Sequence, residues 1–458
     1  MKTLVRDRSF YKTFFSMSAV IALQNLVVFS VNLADNIMLD RWSETALSGV
    51  ALVNQIQFLL QMLMQGAGEG ALVFSSRFWG EGDRDAIRKI ANIGMKFALA
   101  VSLLLGAALF LFPEAILGLL SSDPEIVAAG AEYARVIVFT YPVFAVSQIL
   151  LILLRSVETV RIGFTVSICT LVVNVSLNYM LIFGNFGAPV MGIRGAAVAT
   201  LIARLVEMGV LVTYTGAIDT KIRVRLRDFL SHWDTSLVKD YVRVGLPVFG
   251  SSAMWGIAQA IQTSILGHME SYVISANAVA VTLFQILSVF IYASASTSGV
   301  MVGKVIGEGR EEQIKPYART FQLLFLCIGA VTGLAIFLLR RPIVALYGNL
   351  SPEAESLALS FIAVLAVTSV GTAYQMPSLG GIVRSGGDTS FVLKNDFIFM
   401  WLIVLPSSAA AAFLWHLSPL IVFICLKSDQ ILKCFVAVIK VNRYRWLKRI
   451  SSRETAAK

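Results

Sequence analysis

Apolar runs long enough to cross a lipid bilayer dominate this sequence. Twelve of them fall at about 13–38, 46–74, 91–113, 131–154, 162–184, 195–215, 241–267, 274–301, 318–339, 355–378, 391–413 and 417–439. A helix needs roughly 20 mostly apolar residues to span the hydrocarbon core. No water is present there to pair the backbone, so each run must satisfy its own N–H and C=O groups as a helix. Composition excludes the soluble alternative. Only 14% of the 458 residues are charged, against about 25% in soluble domains, and mean hydropathy is +0.76. Pro142, Pro247, Pro377 and Pro406 interrupt the runs; membrane helices tolerate proline where neighbours resatisfy the freed carbonyl.

The remaining composition narrows the function classes. Cys169, Cys327, Cys425 and Cys434 are scattered with no ligand or disulfide spacing, and His232, His268 and His416 stand alone. Nothing here supplies a metal or nucleophile cluster for an enzyme. The start MKTLVRDRSFYKTFF is basic before an apolar run too long for a signal peptide, and reads as the first spanning helix. A net charge of +10 raises nucleic acid as a partner. The basic residues lie between apolar runs, however, where they set topology.

With an even helix count both termini share a side. Placing that side in the cytoplasm puts MKTLVRDR, the 216–240 segment, GKVIGEGREEQIKPYAR and the tail VNRYRWLKRISSRETAAK inside. The outer segments carry few Lys or Arg, with Arg340 and Arg341 the main dissent.

The two halves are related. Residues 47–83 lie over 274–310 without a gap at a spacing of 227, and Gly80-Glu81-Gly82 falls on Gly307-Glu308-Gly309. Six helices per half give both halves the same orientation, so the expected axis is a pseudo-twofold along the membrane normal. The expected fold is all-α: a polytopic membrane protein with twelve transmembrane helices in two six-helix lobes. The lobes take 1–215 and 241–440, joined by a cytoplasmic linker at 216–240 and followed by a basic cytoplasmic tail at 441–458.

Several motifs carry a family resemblance across nearly the whole chain. The first half shows ADNIML, FWGEGDRDAIRKI, 155-RSVET-159, 174-NVSLNYMLIFG-184 and 192-GIRGAAVATLIAR-204. The second shows 245-GLPVF-249, 304-KVIGEGREEQIKPYA-318 and 383-VRSGGDTS-390. In this order the motifs resemble the multidrug and toxic compound extrusion transporters of the prokaryotic type. The resemblance implies two lobes that open alternately to each side. It also implies export of organic, often cationic, compounds driven by inward sodium or proton movement.

A carboxylate inside the bilayer is costly, which makes Asp35 in the first run a functional candidate; a solvated place near Asp40 and Arg41 is the plain alternative. Asn174 and Asn178, four residues apart, share a helix face, and Thr200 sits in a small-residue run. Asn pairs also serve simply as interhelical hydrogen bonds. Together Asp35, Asn174, Asn178 and Thr200 offer the carboxylate, amide and hydroxyl oxygens that sodium prefers. The resemblance points to the same four positions as a first-lobe cation site, with Asn178 standing where relatives commonly have Asp. A single buried carboxylate can also take up a proton, so sodium and proton both stand as the coupling ion. By the repeat, Asp35 falls on Gln262, and runs 7 and 10 contain no carboxylate. Coupling is therefore expected in the first lobe. Glu69 is a second buried-acid candidate that could instead approach the cytoplasmic end near Arg77, or pair with Arg155 there.

Candidates for the substrate path are Asn32, Gln55, Gln61, Met64, Trp255, Gln259, Gln262, Phe284 and Tyr292. Met and aromatic side chains re-pack around varied ligands, although each of these residues could equally be bundle packing. GEGD and SGGDT match no phosphate-binding fingerprint, so transport is expected to be secondary and to use no cofactor. The expected setting is a monomer in the cell membrane, surrounded by lipid, handling a small-molecule substrate and no nucleic acid. Two alternatives stand beside the antiporter: a lipid or lipid-linked oligosaccharide flippase, and a membrane-embedded enzyme.

Overall fold

The computed structural model describes residues 4–224, 228–229, 233–347 and 350–450. Parts of the expected linker (225–227 and 230–232) and of the expected tail (451–458) lie outside the described residues. The first half folds as α1 (Arg8–Trp42), α2 (Glu44–Glu81), α3 (Arg84–Leu111), α4 (Pro124–Ile137 and Thr140–Ser156), α5 (Arg161–Phe183) and α6 (Gly192–Ile218). The second half folds as α7 (Thr235–Gly267), α8 (Ser271–Gly307), α9 (Ile314–Val344), α10 (Pro352–Val383), α11 (Thr389–Leu414) and α12 (Pro419–Lys427 and Asp429–Asn442). No strand occurs among the described residues; one isolated bridge joins Gly387 and Leu447.

Ten of these helices are long and apolar enough to cross a membrane unbroken, and α4 makes an eleventh with a bend of 56°. Pro142 explains the bend: it has no N–H for the Val138 carbonyl, which instead accepts from Tyr141 N at 3.1 Å. The helix α12 is broken at Ser428, whose N–H turns back to Cys425 O at 3.2 Å. It carries four charged residues, Lys427, Asp429, Lys433 and Lys440. Helix starts are fixed by caps. Asp83 accepts from Ala86 N, Asp123 from Glu125 N, and Ser351 from Ala354 N.

By internal packing the chain divides into two compact units. The N-terminal unit comprises Leu23–Ser75 and Gly82–Phe249; the C-terminal unit comprises Met1–Ala22, Ser76–Glu81 and Gly250–Lys458. The first unit's core gathers Val53, Met64, Tyr141 and Leu154 among others. The second has two cores, one around Phe361 and Phe423 and one around Phe321, Phe325 and Trp446.

The duplication acquires a physical reason in the C-terminal unit. A Cβ on Gly80 would meet Lys304 O at 2.2 Å, and one on Gly307 would meet Arg77 O at 2.0 Å. Gly80 and Gly307 are repeat equivalents, and so are Arg77 and Lys304. The contacts therefore exchange under the repeat, as a twofold interface requires. Gly82 and Gly309, also equivalent, both take positive φ (77° and 69°) to end their helices.

The segments after α6 and α12 each return to an earlier turn of their own unit. Lys221 Nζ donates to Val157 O at 2.7 Å in the turn after α4. Lys448 N donates to Gly386 O at 2.8 Å in the turn after α10. Residues 443–450 thus fold back as a strap, with Trp446 fully buried and Ile450 nearly so.

Candidate functional site

Asp35 lies two turns before the end of α1 and is half-buried, whereas Asp40 and Arg41 are exposed. Its partners come from α5. Asn178 Nδ2 donates to Asp35 Oδ1 and also to Asn174 Oδ1 at 3.1 Å. Asn174 Nδ2 then donates to Thr200 Oγ1 on α6 at 3.3 Å. The four residues singled out from the sequence therefore form one continuous chain of hydrogen bonds across three helices. Both asparagines are almost completely buried, and Asn178 Oδ1 is buried with no hydrogen-bond partner. An orphaned amide oxygen in a low-dielectric interior is costly, and here it stands beside a carboxylate.

Two residues that sequence reasoning missed complete the surroundings. The Tyr133 side chain, from the first part of α4, is buried and lies in the field of Asp35. Arg204, one turn beyond Thr200 on α6, also acts on Asp35 electrostatically. Its Nη1 is held by Glu207 Oε2 at 2.7 Å and its guanidinium lies 4.9 Å from the Phe144 ring centre. The helical spacing of Thr200 and Arg204 was the available signal. Glu69 accepts from Gln65 Nε2 at 3.0 Å and lies in the field of the half-buried Arg155.

The substrate-path candidates divide between the units. In the N-terminal unit Asn32 and Gln55 are exposed, Gln61 is half-buried and Met64 is a fully buried core residue. In the C-terminal unit Trp255, Gln259, Phe284 and Tyr292 are half-buried, with Trp255 and Phe284 packed on a core cluster. Gln262 is buried, and its amide meets Met400 Sδ at 3.2 Å and Lys427 Nζ at 3.5 Å.

That last contact opens onto a charge network the sequence reading did not find. Lys433 Nζ lies 3.1 Å from Asp396 Oδ1 and 3.3 Å from Asp429 Oδ2. Gln430 Nε2 donates to both oxygens of Asp429, and its Oε1 accepts from Thr372 and Gln375. The search for acids in runs 7 and 10 missed it because these acids sit on α11 and α12. The i, i+4 spacing of Asp429 and Lys433 was the visible clue. Among the described residues no three His, Cys, Asp or Glu side chains converge as a metal site.

A polytopic helical membrane protein with a buried polar chain between helices is the class these features define. The MatE family model matches residues 21–180 and 247–409, most of the chain, and the protein belongs to that family, the multidrug and toxic compound extrusion transporters. A relative from Thermotoga maritima, "Probable multidrug resistance protein NorM", is 26% identical over 93% of this chain and 91% of its own length. "Multidrug resistance protein PmpM" of Pseudomonas aeruginosa is 26% identical over 88% of this chain and 84% of its own. A solved structure described as an outward-facing conformation of a multidrug resistance MATE family transporter matches with TM-score 0.85 and 20% identity, covering 96% of both chains. A Pyrococcus furiosus transporter of the MOP superfamily matches with TM-score 0.84, 20% identity and 96% coverage of both. These structures share the fold.

Proposed function

We propose that the protein is a secondary antiporter that exports organic, cationic or amphipathic compounds across the cell membrane in exchange for sodium or protons. The relatives named for multidrug resistance support the export reading. The observation that carries the coupling reading is the orphaned Asn178 Oδ1 beside Asp35. Turning the Asn178 amide over would present that oxygen to the point where Nδ2 now meets the carboxylate. Asp35, Asn178, Asn174 and Thr200 would then offer carboxylate, amide and hydroxyl oxygens to a sodium ion. A proton on Asp35 would instead convert the carboxylate into a donor, for which Asn178 Oδ1 is the waiting acceptor. Either cation removes the cost of a bare carboxylate and tightens α1 against α5 and α6. Coupling then requires that the inward- and outward-facing states differ in affinity for the ion.

In this reading both termini face the cytoplasm, the monomer is the working unit, and no enzymatic step or resident cofactor is involved. The lobes are taken as 1–215 and 241–440. The test is transport in proteoliposomes with sodium and proton gradients imposed separately against a panel of organic cations. One gradient should drive accumulation. Uptake indifferent to both gradients would sink the antiport reading.

A further inference from the structure

Within the C-terminal unit, α9, α10 and α12 enclose an apolar groove of about 770 Å³. Leu326, Ala330, Leu334 and Phe337 line it from α9, Val367 and Tyr374 from α10, and Ile431, Cys434 and Val438 from α12. Leu334 and Val367 are mostly exposed, so the groove opens on its long side. From Leu326 to Phe337 the groove runs eleven residues along α9, about 17 Å at 1.5 Å per residue. That is close to one leaflet's hydrocarbon depth, about 15 Å.

The end of the groove nearest the strap is polar and bridged across the same three helices. Tyr374 OH donates to Gln322 Oε1 at 2.6 Å, and Asn442 Nδ2 donates to the same oxygen at 3.1 Å. Beyond this bridge the charge is positive. On α9, Lys315, Arg319, Gln322, Leu326, Ala330, Leu334 and Phe337 recur at helical spacing along one stripe. The stripe reads basic, then polar, then apolar, in the order of a phospholipid from headgroup to chain end. Arg319 and Lys315 are exposed, and Lys315 Nζ lies 5.6 Å from the Tyr444 ring centre of the strap. Arg443, exposed, follows Asn442 directly.

We propose that this groove is a binding site for an anionic glycerophospholipid, one acyl chain lying along α9 and the phosphate held by Arg319 and Arg443. Zwitterionic lipid would fill the groove with its chain, but its headgroup would carry no net charge to the basic mouth. The leaflet assignment, cytoplasmic, rests on the orientation proposed above; the binding does not.

The experiment is native mass spectrometry of the full chain titrated with phosphatidylglycerol and, separately, phosphatidylcholine. A preference of roughly tenfold for phosphatidylglycerol is expected. Arg319→Ala/Arg443→Ala, at exposed positions, should remove the preference while the melting temperature without lipid is unchanged. Ala330→Phe should reduce adducts of both lipids by blocking the chain. A phosphatidylglycerol with a photoreactive acyl chain should crosslink to peptides containing 326–337 or 431–438. Equal binding of the two lipids, or a preference that survives the double arginine substitution, overturns the proposal. Adduct formation needs no transport, so a protein that fails every gradient assay still answers this question.

Discussion

The repeat sets two positions in parallel, Asp35 in the N-terminal unit and Gln262 in the C-terminal unit, and their surroundings differ in one respect. Around Asp35 the direct partner is a neutral amide, and Arg204, whose field reaches the carboxylate, is held by Glu207. Around Gln262 the cations are part of the chain: Lys427 reaches the amide, and Lys433 lies between Asp396 and Asp429. A buried carboxylate needs a positive partner to be tolerated in the bilayer. A tethered lysine supplies one permanently, leaving nothing to exchange. Neutral oxygens leave the carboxylate open to a mobile cation. The difference favours the N-terminal unit as the place where a coupling ion binds, and it can be attacked from either side.

The largest expected effect is on Asp35. Asp35→Asn keeps size and hydrogen bonding but removes the charge, and gradient-driven efflux should fall to the level of empty vesicles. Gel filtration and melting should match the parent. Full efflux with unchanged sodium and pH dependence would falsify the assignment and remove the contrast with Gln262.

From the other side, Lys433→Met removes the ammonium that lies between Asp396 and Asp429. Breaking such a pair costs about 3–5 kcal/mol, read as a large drop in melting temperature in detergent. Adding Asp429→Asn should restore much of it. Because this network is read as internally neutralised, whatever folded protein remains should keep the parent's choice of coupling ion. A change in that choice would mean that the C-terminal network also binds the ion.

The two sequence repeats can also be compared where they agree, at a pair of glycines that both lie in the C-terminal unit. Gly80→Ala and Gly307→Ala would push a methyl into Lys304 O and Arg77 O respectively. Overpacking of this kind costs about 1–3 kcal/mol. The two substitutions should be alike in cost because the repeat exchanges their contacts, and thermal unfolding of the single variants measures it. Strongly unequal losses would break the twofold relation at this point.

Much of this was legible in the sequence because the bilayer leaves few choices. Apolar length fixed the helices, and the four polar residues of the first site lay on runs where polarity is expensive. What escaped had local sequence cues too weak to be decisive. Tyr133 reads as an ordinary core aromatic until the bend in α4 is known. Asp396 and Lys433 lie 37 positions apart on different helices, and only their packing makes one network. The GEG motif was visible as a repeat, but the reason for its first glycine, a carbonyl of the opposite copy, exists only in three dimensions. In the basic tail, the apolar Trp446 and Ile450 were the sign that the chain folds back.

The smallest expected effect concerns the strap at 443–450 and the carboxylate that closes it. Asp388, in the turn after α10, pairs with Lys440 and Lys448. Burial alone would raise its pKa, but the two ammonium groups outweigh burial and hold it below the usual carboxylate value. A depressed folded pKa means that the ion pairs stabilise the fold fully above the unfolded value, about 3.9. That contribution is lost as pH falls through the lower folded value. Asp388→Asn should therefore melt below the parent by a constant margin from neutral pH down to about pH 5, and the margin should close under stronger acid. If the margin instead persists at the acid end, Asp388 stabilises the turn by shape and hydrogen bonding, and the charge of Lys448 contributes nothing to holding the strap.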